Sequence, residues 1–486
     1  MVTGVKLKSR ASSLSLAGSG RDDRGDTETN WDADLYLVSL RWKQVTKEYK
    51  RSLSGKSGQS RCLPPDTEGG IPPMRIKTLL LVLWVVLVSH RAFLPRSESL
   101  DLQSSYYDTL VFIEIGITTL IFVVSCILVV FHVHTMTFNR IHLILWLYIV
   151  TVAMSVIWSP HPTYGTFWVM RLFSAIAIVT LYFHKATPAM IYRFLDCTIL
   201  ALVPHLLLPL FALRVGLQPT PDMRIKGLWL QPVTGSIIAF AIFIISVVII
   251  TDKEWRYNFL WLLIALLSLV SGLLFGGKTG VFAGSVTMGV YLLTRPRLTR
   301  VVRFFSLLGI VLIGFRLYNI EYGLFAHLIY YEQKVQFGTI KDRFSLWISA
   351  LQLWIQSPWS LIFGHGYTST RVNLIPVYDA GWFTTHAHNS FLQSLVEVGI
   401  IGSLPLFWFI WKLVVNALCV ILWKQNQDCR LLAWSFAVLH LIISSVMDNV
   451  FGGLIYGPFY LLLAGGMSLL YLSKNENHRG ALASKP

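Results

Sequence analysis

Charge is scarce in this chain of 486 residues: Asp, Glu, Lys and Arg make up 14% of it, against about 25% in an ordinary soluble domain. A soluble globule of this length could not coat its surface with so little. Cysteine is scarce as well. The five residues Cys62, Cys126, Cys197, Cys419 and Cys429 follow no metal-ligand or disulfide-framework spacing. No internal repeat of fixed period is present, and the composition excludes collagen, coiled coil, disulfide scaffold and disordered protein. What the chain has is apolar surface, with 54% hydrophobic and 13% aromatic residues gathered in long runs. The fold class this implies is all-α, a polytopic membrane protein.

The formal charge of +16 invites a nucleic-acid reading. The basic residues are instead spread over many short loops, as expected for cytoplasmic loops of a membrane protein, so no nucleic-acid partner is expected. Twelve apolar segments can be read, at about 78–94, 109–133, 141–158, 166–183, 194–214, 234–251, 257–275, 279–294, 301–318, 396–423, 431–447 and 454–472. Each is near the length that a helix needs to cross a bilayer. Residues 1–73 differ in kind. They are polar and read as a disordered cytoplasmic extension, with Met74 as an alternative natural start. The run after Met74 is followed by no Ala-x-Ala site, so an uncleaved first helix is expected rather than a signal peptide. Residues 74–473 form the membrane domain and 474–486 a cytoplasmic tail.

Lys185 and Arg193, Lys253 and Arg256, Arg295, Arg297 and Arg300, Lys424 and Arg430, and Lys474 and Arg479 all fall on one side of the alternation. The opposite loops near 159–165 and 448–453 hold no Lys or Arg. The positive-inside rule then puts both termini in the cytoplasm and the long loop 319–390, between helices 9 and 10, outside.

That loop carries the chemistry. Asp342–Ser357 has apolar residues at helical spacing (Phe344, Trp347, Ile348, Leu351, Trp354 and Ile355) and ends at Pro358, which predicts an amphipathic helix on the membrane surface or against the bundle. Gly364-His365-Gly366-Tyr367 predicts a turn. If one helix runs from His388 onward, then His388, Leu395, Gly399 and Gly402 share one stripe, on which glycines admit a close neighbour. His388 would stand at the helix N-terminus, where an anion is favoured and a neutral imidazole can serve as general base. A structural histidine is the plainer alternative. His386, two residues earlier, would then point about 200° away.

His388-Asn389, nine residues, Gly399, two residues and Gly402 resemble the His-[Asn/Ser/Gln]-x9-Gly-x2-[Gly/Thr/Tyr] signature of the O-antigen ligase family. That family includes exopolysaccharide polymerases and pilin glycosylation ligases. Asp342-Arg343-Phe344-Ser345-Leu346-Trp347, Pro358, Gly364-His365-Gly366 and Arg224-Ile225-Lys226-Gly227-Leu228 are similar to the family too. The chain departs from it at Gln231-Pro232-Val233, where Asn-Pro-Asn is common, and at Gly277-Lys278, where Ser-Arg is common.

The resemblance implies about 12 helices, a long periplasmic loop, and location in the bacterial inner membrane. It implies transfer of a glycan from undecaprenyl pyrophosphate to a sugar hydroxyl at the periplasmic face, with no metal and no cofactor. The acceptor is a lipid A–core sugar in a ligase and a second lipid-linked glycan in a polymerase. The catalytic expectation rests on His388, Arg343 and Arg224. Pyrophosphate contacts are expected from Arg224, Arg343, Lys278 and Arg171, and support from Asp448, Asn389, Gly399 and Gly402. Arg171, inside an apolar run, has an internal ion pair or a snorkelling side chain as its alternative. Asp448 is open between orienting His388 or an arginine and capping a helix. A base must be neutral, so activity is expected to fall on the acid side, whereas protonation would help a pure pyrophosphate donor. A flippase or transporter is the remaining class, and it would predict two related halves or broken helices, of which the halves are not seen.

Overall fold

The computed structural model describes residues 73–90, 109–135, 140–214, 232–252, 259–275, 277–294, 340–373, 386–423, 428–451 and 457–483. The N-terminal extension up to residue 72, Arg224 with its loop, the ninth apolar segment 301–318 and much of the loop 319–390 lie outside these residues.

The described residues are helical and contain no strand. In chain order the helices are α1 Pro73–Ser89, α2 Thr109–His132, α3 Arg140–Ser155, α4 Pro162–Phe183, α5 Pro188–Arg214, α6 Pro232–Asp252, α7 Phe259–Leu274 and α8 Lys278–Thr294. They continue as α9 Ile340–Trp354, α10 Pro358–Phe363, α11 Thr370–Asn373, α12 Ser390–Trp423, α13 Cys429–Met447 and α14 Gly457–Ala483. Seven of these are long and apolar enough to cross a membrane, and α1, α7 and α14 contribute shorter apolar helices.

Local chemistry sets many of the starts. Proline opens α4, α5, α6 and α10, where its missing N–H has no intrahelical partner to lose. Ser357 and Ser360 form a capping box at α10. The Asp428 side chain accepts the Arg430 N–H at the start of α13.

Packing separates inner from outer helices. α6 lies among α7, α8 and α13, and α13 also packs on α12 and α14. α4, α6 and α13 are mostly buried, while α2 and α3 keep wide apolar faces open, including Phe131 at 75% and Leu143 at 62% exposure. A surface that apolar is stable against lipid, not against water.

Side-chain contacts sort the helix ends into two sets. At one end Lys77 Nζ donates to the carbonyls of Leu181 (2.8 Å), Tyr182 (2.5 Å) and His184 (2.7 Å). There also, Arg430 pairs with Asp196 at 3.1 Å and Tyr471 meets His142 at 2.8 Å. At the other end Ser159 Oγ donates to the Tyr367 carbonyl, Ser236 Oγ to the Gly277 carbonyl and Ser271 Oγ to the Leu206 carbonyl. The helices α1–α8 thus run up and down in alternation, and α12–α14 alternate among themselves, with α12 starting at the same end as α8. The second end gathers the starts of α8 and α12, the finish of α13, and α9–α11.

Candidate active site

Asn389 fixes the start of α12. Its Oδ1 accepts the N–H groups of Phe391 (3.0 Å) and Leu392 (3.1 Å), the role of an N-cap, and its Nδ2 donates to the Val446 carbonyl at 3.0 Å. Ser390 Oγ donates to the Asp448 carbonyl at 3.0 Å and accepts the Val450 N–H at 2.7 Å. The start of α12 is therefore laced to the end of α13.

The single continuous helix expected through His388 is not formed. His388 precedes α12 and has φ of +47°, left-handed backbone that a non-glycine residue adopts at some cost. Gly399, with φ of +65°, then breaks the helix, so the proposed stripe through Gly399 and Gly402 does not exist. The break has a cause. The carbonyls of Val396 and Glu397 accept the N–H groups of His365 (2.8 Å) and Gly366 (2.9 Å) from the preceding turn. A Cβ on Gly399 would overlap the Ile362 carbonyl. Gly402 accommodates the Val398 side chain.

His388 Nδ1 lies 3.3 Å from Asp448 Oδ1, leaving Nε2 as the nitrogen that Asp448 does not engage. Asp448 is 4% exposed and is the C-cap of α13. Its Oδ1 also accepts the Asn449 N–H at 2.7 Å. Burial alone would raise this carboxyl. The charge and contact of His388, followed by the charges of His386 and Arg343, outweigh burial and hold it well below the usual carboxylate range. Asp448 thus stands at the C-cap of α13 and also lies against His388.

His386 does not point away. Because residues 386–389 are not helical, the rings of His386 and His388 stand 4.2 Å apart between centroids, and both face Asp448. One ligand atom from each of the three residues falls within 4.8 Å of the others. Two imidazoles and a carboxylate could bind a divalent cation, although the Arg343 charge acts on the same carboxylate.

Arg343, on α9, is anchored by Nη1, which donates to the Met447 carbonyl and to Thr279 Oγ1, the latter at 3.3 Å. The guanidinium is thereby placed beside Asp448 at the junction of α8 and α13. Lys278 is exposed at the first position of α8, next to Thr279. Arg171 is elsewhere. It is 1% exposed, and its Nη1 donates to Glu114 Oε1 at 2.9 Å. Its Nε reaches the Tyr460 hydroxyl at 3.4 Å, and His90 Nε2 lies 3.9 Å from the same Glu114 oxygen. This is the internal ion pair that the sequence offered as the alternative to a pyrophosphate contact. Arg224 lies outside the described residues.

The structure thus brings His388, Asn389, Asp448 and Arg343 together. Sequence reasoning missed Thr279, Ser390, Gln393, Thr370 and Glu397. Glu397 did carry a signal, an acid within an otherwise apolar run.

Comparison of the chain with curated proteins finds no match. The family model described as O-Antigen ligase matches residues 276–407, a span that includes Lys278, Arg343, His388, Asn389, Gly399 and Gly402. Over that segment the chain is similar to the O-antigen ligase family, the same family that the His388–Gly399–Gly402 signature resembles.

Proposed function

We propose that the protein is a multi-pass inner-membrane glycosyltransferase that moves a glycan from undecaprenyl pyrophosphate to an acceptor sugar hydroxyl at the periplasmic face. The family supports a ligase- or polymerase-type membrane enzyme. The observation that carries the finer reading is the 3.3 Å approach of His388 Nδ1 to Asp448, with Arg343 anchored alongside.

The reaction follows from that arrangement. The acceptor hydroxyl gives its proton to His388 Nε2 as its oxygen attacks the anomeric carbon. Asp448 holds the ring and stabilises the imidazolium that forms, the role a carboxylate plays in histidine dyads. The bond from the anomeric carbon to the pyrophosphate oxygen breaks, and the pyrophosphate leaves with the electron pair. Arg343 and the N-terminus of α12 supply positive potential where that charge develops. Lys278 and Arg224 are further cationic contacts in this reading. The exposed Phe344, Ile348 and Trp359 suit α9 and α10 to the membrane surface, where a lipid-linked donor arrives.

The test uses the purified full chain in liposomes. A membrane extract from cells lacking the protein supplies the lipid-linked donor and the acceptor glycan, and the readout is release of undecaprenyl pyrophosphate. Release should occur, survive EDTA, and vanish in His388→Ala. Loss of release with EDTA would replace the metal-free mechanism with a cation at His386, His388 and Asp448.

A further inference from the structure

Glu397 is 1% exposed, in the first segment of α12. A buried acid on an apolar helix is costly without partners. Its Oε1 accepts from Thr370 Oγ1 at 2.9 Å and from Gln393 Nε2 at 2.5 Å. Gln393 Nε2 also reaches Thr370 Oγ1 at 2.5 Å. At its other end, Gln393 Oε1 accepts the backbone N–H of Ala387 at 2.8 Å.

The chemistry of this chain of contacts has one direction. Glu397 Oε1 accepts from both Thr370 and Gln393, so Gln393 presents its amide nitrogen to Glu397 and its amide oxygen to the Ala387 N–H. Ala387 sits between His386 and His388 and precedes α12, so no helical carbonyl serves its N–H. Its neighbour His388 holds the left-handed backbone at φ +47°. Such a conformation persists where its surroundings over-determine it. Asn389 fixes the segment on one side through the Val446 carbonyl, and Gln393 fixes it on the other. Glu397 is itself immobilised, because its carbonyl accepts the Gly366 N–H at 2.9 Å.

We infer that Glu397 and Gln393 are positioning residues for His388: the carboxylate orients the amide, and the amide pins the backbone that aims the imidazole at the reacting hydroxyl. The inference rests on the reading of His388 as the base. Gln393, 2% exposed, and Glu397 are too deeply buried to meet a substrate, so both act through the backbone of Ala387.

The test compares Gln393→Met, Gln393→Glu and the exchange Gln393→Glu with Glu397→Gln in the purified full chain. The same membrane extract supplies donor and acceptor, and rates are taken per molecule of monodisperse protein. Gln393→Met keeps length but loses all three side-chain hydrogen bonds. Gln393→Glu sets two carboxylates face to face. The exchange restores one donor–acceptor pair and leaves a carboxylate to accept the Ala387 N–H. Misplacement of a catalytic group predicts a fall in kcat of about 10²-fold in Gln393→Met. The KM for donor should stay within about twofold, because ground-state binding is untouched. The exchange should recover most of the activity lost in Gln393→Glu. Unchanged kcat in Gln393→Met, with His388→Ala inactive, would overturn the inference and leave the base assignment standing. Activity in His388→Ala would overturn the assignment itself. If Gln393→Met does not fold, the exchange decides: folded protein no faster than Gln393→Glu would overturn the positioning role.

Discussion

Gly366 donates its backbone N–H to the carbonyl of Glu397 at 2.9 Å. In an unbroken helix that carbonyl would accept the N–H of Ile401, four residues on. The left-handed backbone at Gly399 releases it, and the Gly364–Tyr367 turn docks in its place. The signature glycine of this family segment is thus a hinge point in the backbone, and the turn it admits holds the stem that carries His388.

Gly399→Ala should therefore destabilise the chain. Holding an L-residue at φ +65° costs about 1–2 kcal/mol, and the new Cβ meets the Ile362 carbonyl in addition. Gly402→Ala meets only the Val398 side chain and should cost less. Thermal unfolding of the detergent-purified variants gives the order, and equal losses would contradict the hinge account.

The buried pair of Arg171 and Glu114 should act on stability rather than on turnover. Arg171→Met leaves the buried Glu114 carboxylate without its guanidinium, at a cost of about 3–5 kcal/mol. Arg171→Met combined with Glu114→Leu should regain most of that stability, and its turnover should match the wild type. A double variant that is stable but inactive would return Arg171 to the pyrophosphate site.

Arg343→Ala should abolish transfer while the protein still reaches the membrane. Arg343→Lys should recover only part of the activity. A single ammonium cannot hold Thr279 and the Met447 carbonyl while also presenting a planar fork to a pyrophosphate. Full activity in Arg343→Ala would remove the residue from the site.

Acid should weaken the fold at Asp448. Its carboxyl is held below the unfolded value by His388, His386 and Arg343 against the opposing effect of burial. A lowered carboxyl contributes stability that is fully present above its unfolded pKa of about 3.9 and is lost as pH falls toward the folded value. Unfolding measured from about pH 5 downward should show a steeper loss in the wild type than in Asp448→Asn. Parallel curves would mean that the contact contributes no net stability.

Much of this was legible in the sequence. Long apolar runs mark the membrane helices because lipid-facing and core-facing positions are both apolar, and the signature and its flanking segments point to Asn389, Arg343, His388 and Asp448, which the fold brings together. The failures were local. Helical periodicity assumes a continuous helix, so it missed the break at Gly399 and sent His386 to the wrong side. The break depends on His365 and Gly366, more than thirty residues upstream. Glu397 is hidden for a similar reason: one of its partners, Thr370, comes from α11. Arg171 was ambiguous because its partner Glu114 lies on another helix.

The central claim is that His388 and Asp448 work as one unit, and a double-mutant cycle tests it most directly. Turnover would be measured for His388→Ala, Asp448→Asn and the pair, by release of undecaprenyl pyrophosphate from purified protein. Losing the base costs about 10²–10⁴-fold. The account predicts that the pair loses no more than His388→Ala alone, because Asp448 acts only through the imidazole. Losses that multiply, or near-normal turnover in His388→Ala, would contradict it.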